Sequence, residues 1–429
     1  MSEVGLAPGA LQAVRLGSPR LLLVTATSLA GNMVLSAGLG AVFWWLAARF
    51  FSSHAVGVGV ASLTAMSLVG SVTVVGAGTV LIRDLHRSAE QRTLLAGTAI
   101  LATGAVATAI GTLFAVAAPL INPQLRELGA SPIAVAVFAA GVALTTLATV
   151  VDDILLGLLR ARLRLLRNAI FNVAKIGVLV AVGLIIGGDR PIEIYGAWGA
   201  GVVISLVVLV PIVRRNWRGG PLFSWSVLRQ FGPSAVSHQA LNTALQLPAL
   251  GIPFAVALLA PPTTTAQFFV VFMLTSVSFY VPLALSQTLY AIGSRAREQL
   301  WDHARVTIGA SIAAGALAVV TMAVLAEPIL GLFGPEYAAA APIAPLLAAV
   351  SIPMAVKDHF HMIFRIQHRE RLALGLCAVG ALLEVAGAVV GLALAGILGL
   401  SLGWLLAASM EAVVMAPLLL RAARHNPHA

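Results

Sequence analysis

Apolar runs of about 20 residues or more recur from Leu21 to Leu420, separated by short loops. Each is long enough, as a helix rising about 1.5 Å per residue, to cross a hydrocarbon core of about 30 Å. Strands do not fit, because a membrane barrel alternates apolar and polar positions in segments of about 10 residues. Only 10% of the residues are charged, against roughly 25% in an average soluble domain, so a wetted surface cannot be built. The solvent for this chain is the bilayer.

Reading each run as a helix places six spans near 21–48, 55–82, 93–119, 131–158, 168–187 and 192–213. Six more follow near 231–259, 262–291, 304–326, 339–364, 371–396 and 398–420. The 26 basic residues test that count. All but five sit in one set of alternating segments: the N-terminal tail, the loops around Arg83, Arg160, Arg214, Arg295 and Arg365, and the C-terminal tail. The other loops hold only Arg49, Arg126 and Arg190, while Lys175 and Lys357 fall inside spans. Basic loops stay cytoplasmic, and one missed or invented span would break the alternation. The expectation is an all-α polytopic membrane protein with about twelve transmembrane helices, in the inner (cytoplasmic) membrane, with both termini in the cytoplasm. A first span followed at once by others is not a cleavable leader.

The same distribution removes nucleic acid as a partner, since the net charge of +10 is spread over loops rather than gathered on one soluble face. Cys377 is the one cysteine and lies within an apolar span, so it has no intramolecular disulfide partner.

The longest loop divides the chain into an N-terminal six-helix bundle (1–213), a cytoplasmic linker (214–230) and a C-terminal six-helix bundle (231–429). The linker carries Trp217 and Trp225 among arginines, which reads either as an interfacial segment or as a plain connection. A trace of duplication links the halves. Asp153, Arg160 and Arg164 recur at one constant displacement as Asp358, Arg365 and Arg369, with Val151 matched by Val356. In each copy the spacing keeps the three polar residues on one helical face. An even number of spans per half gives two copies of the same orientation, related by an axis along the membrane normal.

Ionisable groups at membrane depth cost at least about 2.5–3.5 kcal/mol on insertion scales and usually face a protein interior or a wet cavity. Asp153 and Asp358 are the candidates for ion coupling, to a proton or sodium; the competing reading is a structural pair with a neighbouring helix or arginine. Lys357 is the candidate cation for an anionic substrate, with pairing to Glu384 or Glu411 as its alternative. Lys175 has the same two readings, a cation facing the cavity or a structural pair, and pairing with Asp152 is the favoured one. Polar stripes mark helices that border water: Thr25, Ser28, Asn32 and Ser36; Thr64, Ser67 and Ser71; and His238, Asn242 and Gln246. Packing between helices accounts for most such hydroxyls, whereas amides at successive turns point to a lined cavity. Asn32, His238, Asn242 and Gln246 therefore join Lys357 as candidate substrate-binding residues. No catalytic constellation or phosphate-cradling glycine loop is present. His359 and His361 point to different faces of a helix, so neither a metal site nor a cofactor is expected.

Four segments carry a resemblance. "LAARFFSSHAVGVGVASLTAMSLVGSVTVVGAGTVLIRDL", from Leu46 to Leu85, has an arginine (Arg49) after the first span, Gly57 opening the second, and Gly76 and Gly78 before Arg83. "LFGPEYAAAAPIAPLLAAV" centres on Gly334, Pro335, Glu336 and Tyr337; "LLGLLRARLRLLRNAIFNVAKIGVLVAVGL" joins the fourth and fifth spans, and "VLRQFGPSAV", from Val227, leads into the seventh. Together they resemble the polysaccharide-export (Wzx-like) flippases of the multidrug/oligosaccharidyl-lipid/polysaccharide (MOP) superfamily. The resemblance implies two six-helix bundles around a central cavity, alternating access, and a polyprenyl-diphosphate-linked glycan as substrate, with membrane lipid around its tail. The chain departs from lipid II flippases, having no basic residue deep in its first two spans and no thirteenth or fourteenth span.

The function this implies is export of a lipid-linked oligosaccharide for surface polysaccharide. A sugar-diphosphate head cannot shed its hydration in hydrocarbon, while its polyprenyl tail can stay in lipid. The alternative is a cation-coupled multidrug exporter of the same architecture. A membrane-embedded glycosyltransferase or ligase would need a long external loop, which the sequence lacks.

Overall fold

The computed structural model describes residues 37–424 apart from 75–76, 79–80, 82–84, 86–88, 159, 215–220, 231–232, 294–298 and 368. The first six long helices are α1 (Ala37–Phe50), α2 (Ser53–Thr73), α3 (Ala89–Ile121), α4 (Pro132–Gly157), α5 (Ala161–Ile185) and α6 (Pro191–Arg214). The next six are α7 (Pro233–Leu259), α8 (Pro262–Gly293), α9 (Leu300–Gly331), α10 (Ser351–Ile366), α11 (370–394) and α12 (397–424). The chain is thus an all-helical, multi-pass membrane protein.

Local chemistry sets the helix starts. Proline stands at the first position of α4, α6, α7 and α8, where its missing N–H is one the helix leaves unbonded anyway. Ser52 and Ser131 cap α2 and α4, their side chains accepting from the backbone N–H of Ala55 and Ala134, both at 3.1 Å. α5 begins at Ala161 rather than near 168, since Arg162, Arg164 and Arg167 extend the helix past the apolar run and arginine is a good helix former. The expected span 339–364 is broken at its start. Short turns at Pro335–Ala338, Ala341–Ile343 and Ala344–Ala349 precede α10, with Pro342 and Pro345 at their openings.

α11 and α12 form one hairpin. The helix from Glu370 to Arg424 leaves helical geometry only at Ala395 and Gly396, where Gly396 takes φ 60. Across the hairpin Gly391 faces Gly399 and Gly387 faces Gly403 so closely that a Cβ on Gly403 would sit 2.1 Å from the Gly387 carbonyl oxygen. Small residues of this kind let membrane helices approach backbone to backbone.

Within the first six helices α3 packs on α4, α5 on α6, and α2 on both α4 and α6. Within the last six, α8 packs on α9 and α10, and α7 and α10 on the α11–α12 hairpin. The two groups meet where α2 lies against α7 and α8. Their described contacts gather at the arginine-poor end. There Trp45 Nε1 donates to Leu332 O at 2.9 Å and Asn122 Nδ2 to Leu258 O at 2.6 Å. Trp44 meets Phe269 edge-on, with centroids 4.9 Å apart. Gly57 abuts the start of α8, and a Cβ there would lie 1.9 Å from Pro262 O. At the opposite end the linker lies on α3, Ser224 N–H donating to Thr98 Oγ1 at 3.1 Å, while Trp225 is exposed.

Candidate functional site

Between the two groups of helices is a cavity of about 450 Å³. α1 contributes Ala37, Gly40 and Trp44; α5 contributes Asn168, Phe171, Asn172 and Lys175; α6 contributes Trp198. The facing wall is α8, with Phe269, Phe272, Met273, Ser276 and Tyr280. From the arginine-poor closure the cavity runs toward the arginine-rich ends of α5 and α8.

Lys175 is its centre of charge. It is 2% exposed, and its ammonium lies over Trp198, Phe171 and Phe43 at 4.2, 4.7 and 5.3 Å from the ring centroids. Ring faces attract a cation through their quadrupole, by up to about 2 kcal/mol when desolvated. Among the described residues no carboxylate pairs with it. The expected partner, Asp152, is taken: Arg167 grips it with two hydrogen bonds of 2.7 Å, and Arg164 lies 3.6 Å away. A guanidinium matches a carboxylate with a planar fork, which an ammonium cannot do. Arg167 Nη2 also donates to Asn168 Oδ1 at 2.9 Å, and Asn172 Nδ2 donates to Asn168 O at 2.8 Å. The arginine network thereby fixes the amides that line the cavity.

Lys357 occupies a different setting. It is 3% exposed on α10, and Nζ lies 2.6 Å from Glu384 Oε1 of α11 and 3.2 Å from Glu411 Oε2 of α12. Of its two readings the structure shows the carboxylate pairing, and Lys357 is not among the residues lining the cavity. Trp404 Nε1 completes the group by donating to Glu384 Oε2 at 2.7 Å.

Asp153 is half-buried on α4, its carboxylate against the backbone of Gly78, where a Cβ would lie 2.4 Å from Oδ2. Asp358 is half-buried on α10 beside Lys357. The two repeated aspartates thus stay apart, one in each half. Asn32 lies outside the described residues, as do the side chains of His238 and Asn242 on α7. Gln246 is exposed and does not line the cavity. Thr64, Ser67 and Ser71 bond carbonyls of their own helix, at 2.9, 2.8 and 2.8 Å for Val60, Leu63 and Leu68. His359 Nδ1 lies 2.7 Å from Ala355 O.

Sequence reasoning named Lys175 but missed the rest of the wall of α5. Its signal was available, because Asn168, Phe171, Asn172 and Lys175 follow the spacings of three and four that share one helical face. Trp198 and the α8 rings carry no such mark, since aromatic residues line cores and cavities alike.

No protein-family model matches the sequence, and no curated protein matches it. Solved structures do match. An inward-facing multidrug resistance MATE family transporter of the MOP superfamily superposes with a TM-score of 0.70 at 14% identity, over 93% of this chain and 98% of that one. An outward-facing MATE family transporter gives 0.58 at 16% identity, over 96% and 98%. A MOP superfamily transporter from Pyrococcus furiosus, described as having a binding pocket of reversed polarity, gives 0.56 at 15% identity, over 97% and 99%. At such identities the likeness speaks for the fold: this chain has the fold of MATE-type transporters of the MOP superfamily, and is more like the inward-facing example than the outward-facing one.

Proposed function

We propose that the chain is an alternating-access transporter that moves a lipid-linked, polyprenyl-diphosphate oligosaccharide across the cytoplasmic membrane, with Lys175 as the cation that receives the anionic head. The observation that carries this reading is Lys175 itself, an ammonium at the cavity between the halves with rings around it and, among the described residues, no carboxylate to neutralise it. A phosphate entering the cavity gains a charge-assisted bond without first displacing a protein anion. Asn168 and Asn172 supply amides for sugar hydroxyls, and Trp44 and Tyr280 supply faces for sugar rings. With the arginine-rich loops cytoplasmic, the closed end is external and the cavity awaits a substrate from the cytoplasm. Return to the outward state follows the relative affinity of the two states for ligand and ion.

The second reading, a multidrug exporter, draws on the aromatic wall of Trp198, Phe269 and Phe272 and on the function named for two of the matching structures. Lys175 weighs against a cationic drug, leaving neutral or anionic ones. Binding to the purified protein in nanodiscs separates the readings. Lys175→Ala is expected to weaken a diphosphate-linked glycolipid about 10- to 100-fold, the worth of a charged hydrogen bond of about 1.5–3 kcal/mol, and a neutral glycolipid with the same sugar much less. Equal losses for both lipids would remove Lys175 from the head site. Tight binding of an apolar dye with no binding of either lipid by the wild type would favour drug export.

A further inference from the structure

The cluster around Lys357 does not balance its own charge. One ammonium faces two carboxylates, Glu384 and Glu411, at 2.6 and 3.2 Å. Glu384 is fully buried and Glu411 is 8% exposed. The surplus negative charge sits inside a helix bundle, where an uncompensated ion is among the costliest features a fold can hold. Glu411 Oε1 is buried and has no hydrogen-bond partner, while Glu411 Oε2 shares the Lys357 ammonium with Glu384 and so brings the two carboxyls to one cation. Two carboxylates side by side are both acceptors, so neither satisfies the other. Buried polar atoms are otherwise almost always bonded.

One proton removes both defects. As a carboxylic acid, one glutamate donates its O–H to the other, which fills the vacant bond and leaves the triad neutral. A metal ion does not fit as well, because the ammonium of Lys357 already stands between the carboxylates where a cation would bind. We propose that Glu384 and Glu411 hold a single proton between them, and that this dyad, rather than Asp153 or Asp358, is the proton-binding site of the protein.

The fold supports the site at each corner. Gly380 of α11 faces Glu411, and a Cβ there would lie 2.0 Å from the carboxyl carbon. Only glycine leaves space for the acid beside Glu384. Other titratable groups near the dyad are Lys357 and Asp358 on α10 and Cys377 on α11. The described side chains of α7 carry no ionisable group. α8 contributes rings: Trp404 stands 6.0 Å from Phe272 and 5.8 Å from Phe279. Since Trp404 donates to Glu384 and Phe272 lines the cavity, the dyad is one side chain removed from the substrate wall. Loss of the proton leaves the Glu384 carboxylate unbalanced, changes its hold on Trp404, and so reaches the cavity.

The use of this proton in transport rests on the transporter reading, but its presence does not, and it is tested without cargo. Infrared spectra of the full chain in nanodiscs, labelled with carbon-13 glutamate, are expected to show a protonated-carboxyl band at neutral pH. Glu411→Gln and Glu384→Gln should each abolish it, and Asp358→Asn and Asp153→Asn should leave it. Sodium at constant pH should not displace it. A band that survives both glutamine variants, vanishes with Asp358→Asn, or is displaced by sodium overturns the proposal. A second readout covers poor yield of either variant. The native dyad binds a proton that the unfolded glutamates release at neutral pH, so the wild-type unfolding temperature should fall as pH rises. In whichever glutamine variant is obtained that slope should flatten; an unchanged slope counts against the dyad.

Discussion

Two lysines, each 2–3% exposed and each within a membrane-spanning helix, have opposite surroundings in the two halves of this protein. Lys357 is clasped by Glu384 and Glu411 at the meeting of α10, α11 and α12. Lys175 has the faces of Phe43, Phe171 and Trp198 and borders the cavity between the halves. Where carboxylates are supplied, the charge is spent on holding helices together. Where only rings are supplied, no described carboxylate holds the ammonium, and that is the place the proposed anion would take. Burial alone does not separate a structural ion from a functional one. The identity of the neighbours does.

The sharpest way to break this contrast is Lys357→Met, which leaves the Glu384–Glu411 dyad, with its one shared proton and one negative charge, without its cation. Removing one side of a buried ion pair costs about 3–5 kcal/mol, so thermal unfolding in detergent should move down sharply, and Glu384→Gln together with Glu411→Gln should restore much of the loss. Full stability in the single variant would mean the triad does not hold the hairpin to α10. Next in size is Gly57→Leu, which touches neither lysine. Its Cβ would lie 1.9 Å from Pro262 O, and overpacking of about 1–3 kcal/mol should open the arginine-poor end. Distances between spin labels across that end should lengthen, while the environment of Lys357 stays as it was; unchanged distances would show that the closure does not depend on this contact. The smallest effect on stability belongs to Lys175→Met. The lost attraction to the rings, about 0.5–2 kcal/mol, is offset by the relief of burying a charge, so the unfolding temperature should move little although binding of the diphosphate lipid falls. A loss as large as that of Lys357→Met would make Lys175 structural too and dissolve the comparison.

Much of the fold was legible in the sequence because it depends on rules that act locally. Apolar runs and the alternation of arginines marked where helices cross, down to the break between 396 and 398, which the structure places at Ala395 and Gly396. Prolines at 132, 191, 233 and 262 stand where helices start. The start of α5 was misplaced because the arginines from Arg162 to Arg167 look like a loop by hydropathy while favouring helix by propensity.

The candidate site was legible only in part. The sequence determined that buried charges sit on particular helices and that Lys357, Glu384 and Glu411 are candidates for one another. It did not decide which lysine borders the cavity, since it favoured Asp152 as the partner of Lys175, whereas the bidentate geometry gives Asp152 to Arg167. Helical periodicity reports which residues share a face, a property of one segment. Whether that face meets a carboxylate, a ring or open space depends on how distant helices pack, and that was settled only when α5, α6 and α8 came together around Lys175 and the α11–α12 hairpin closed on Lys357.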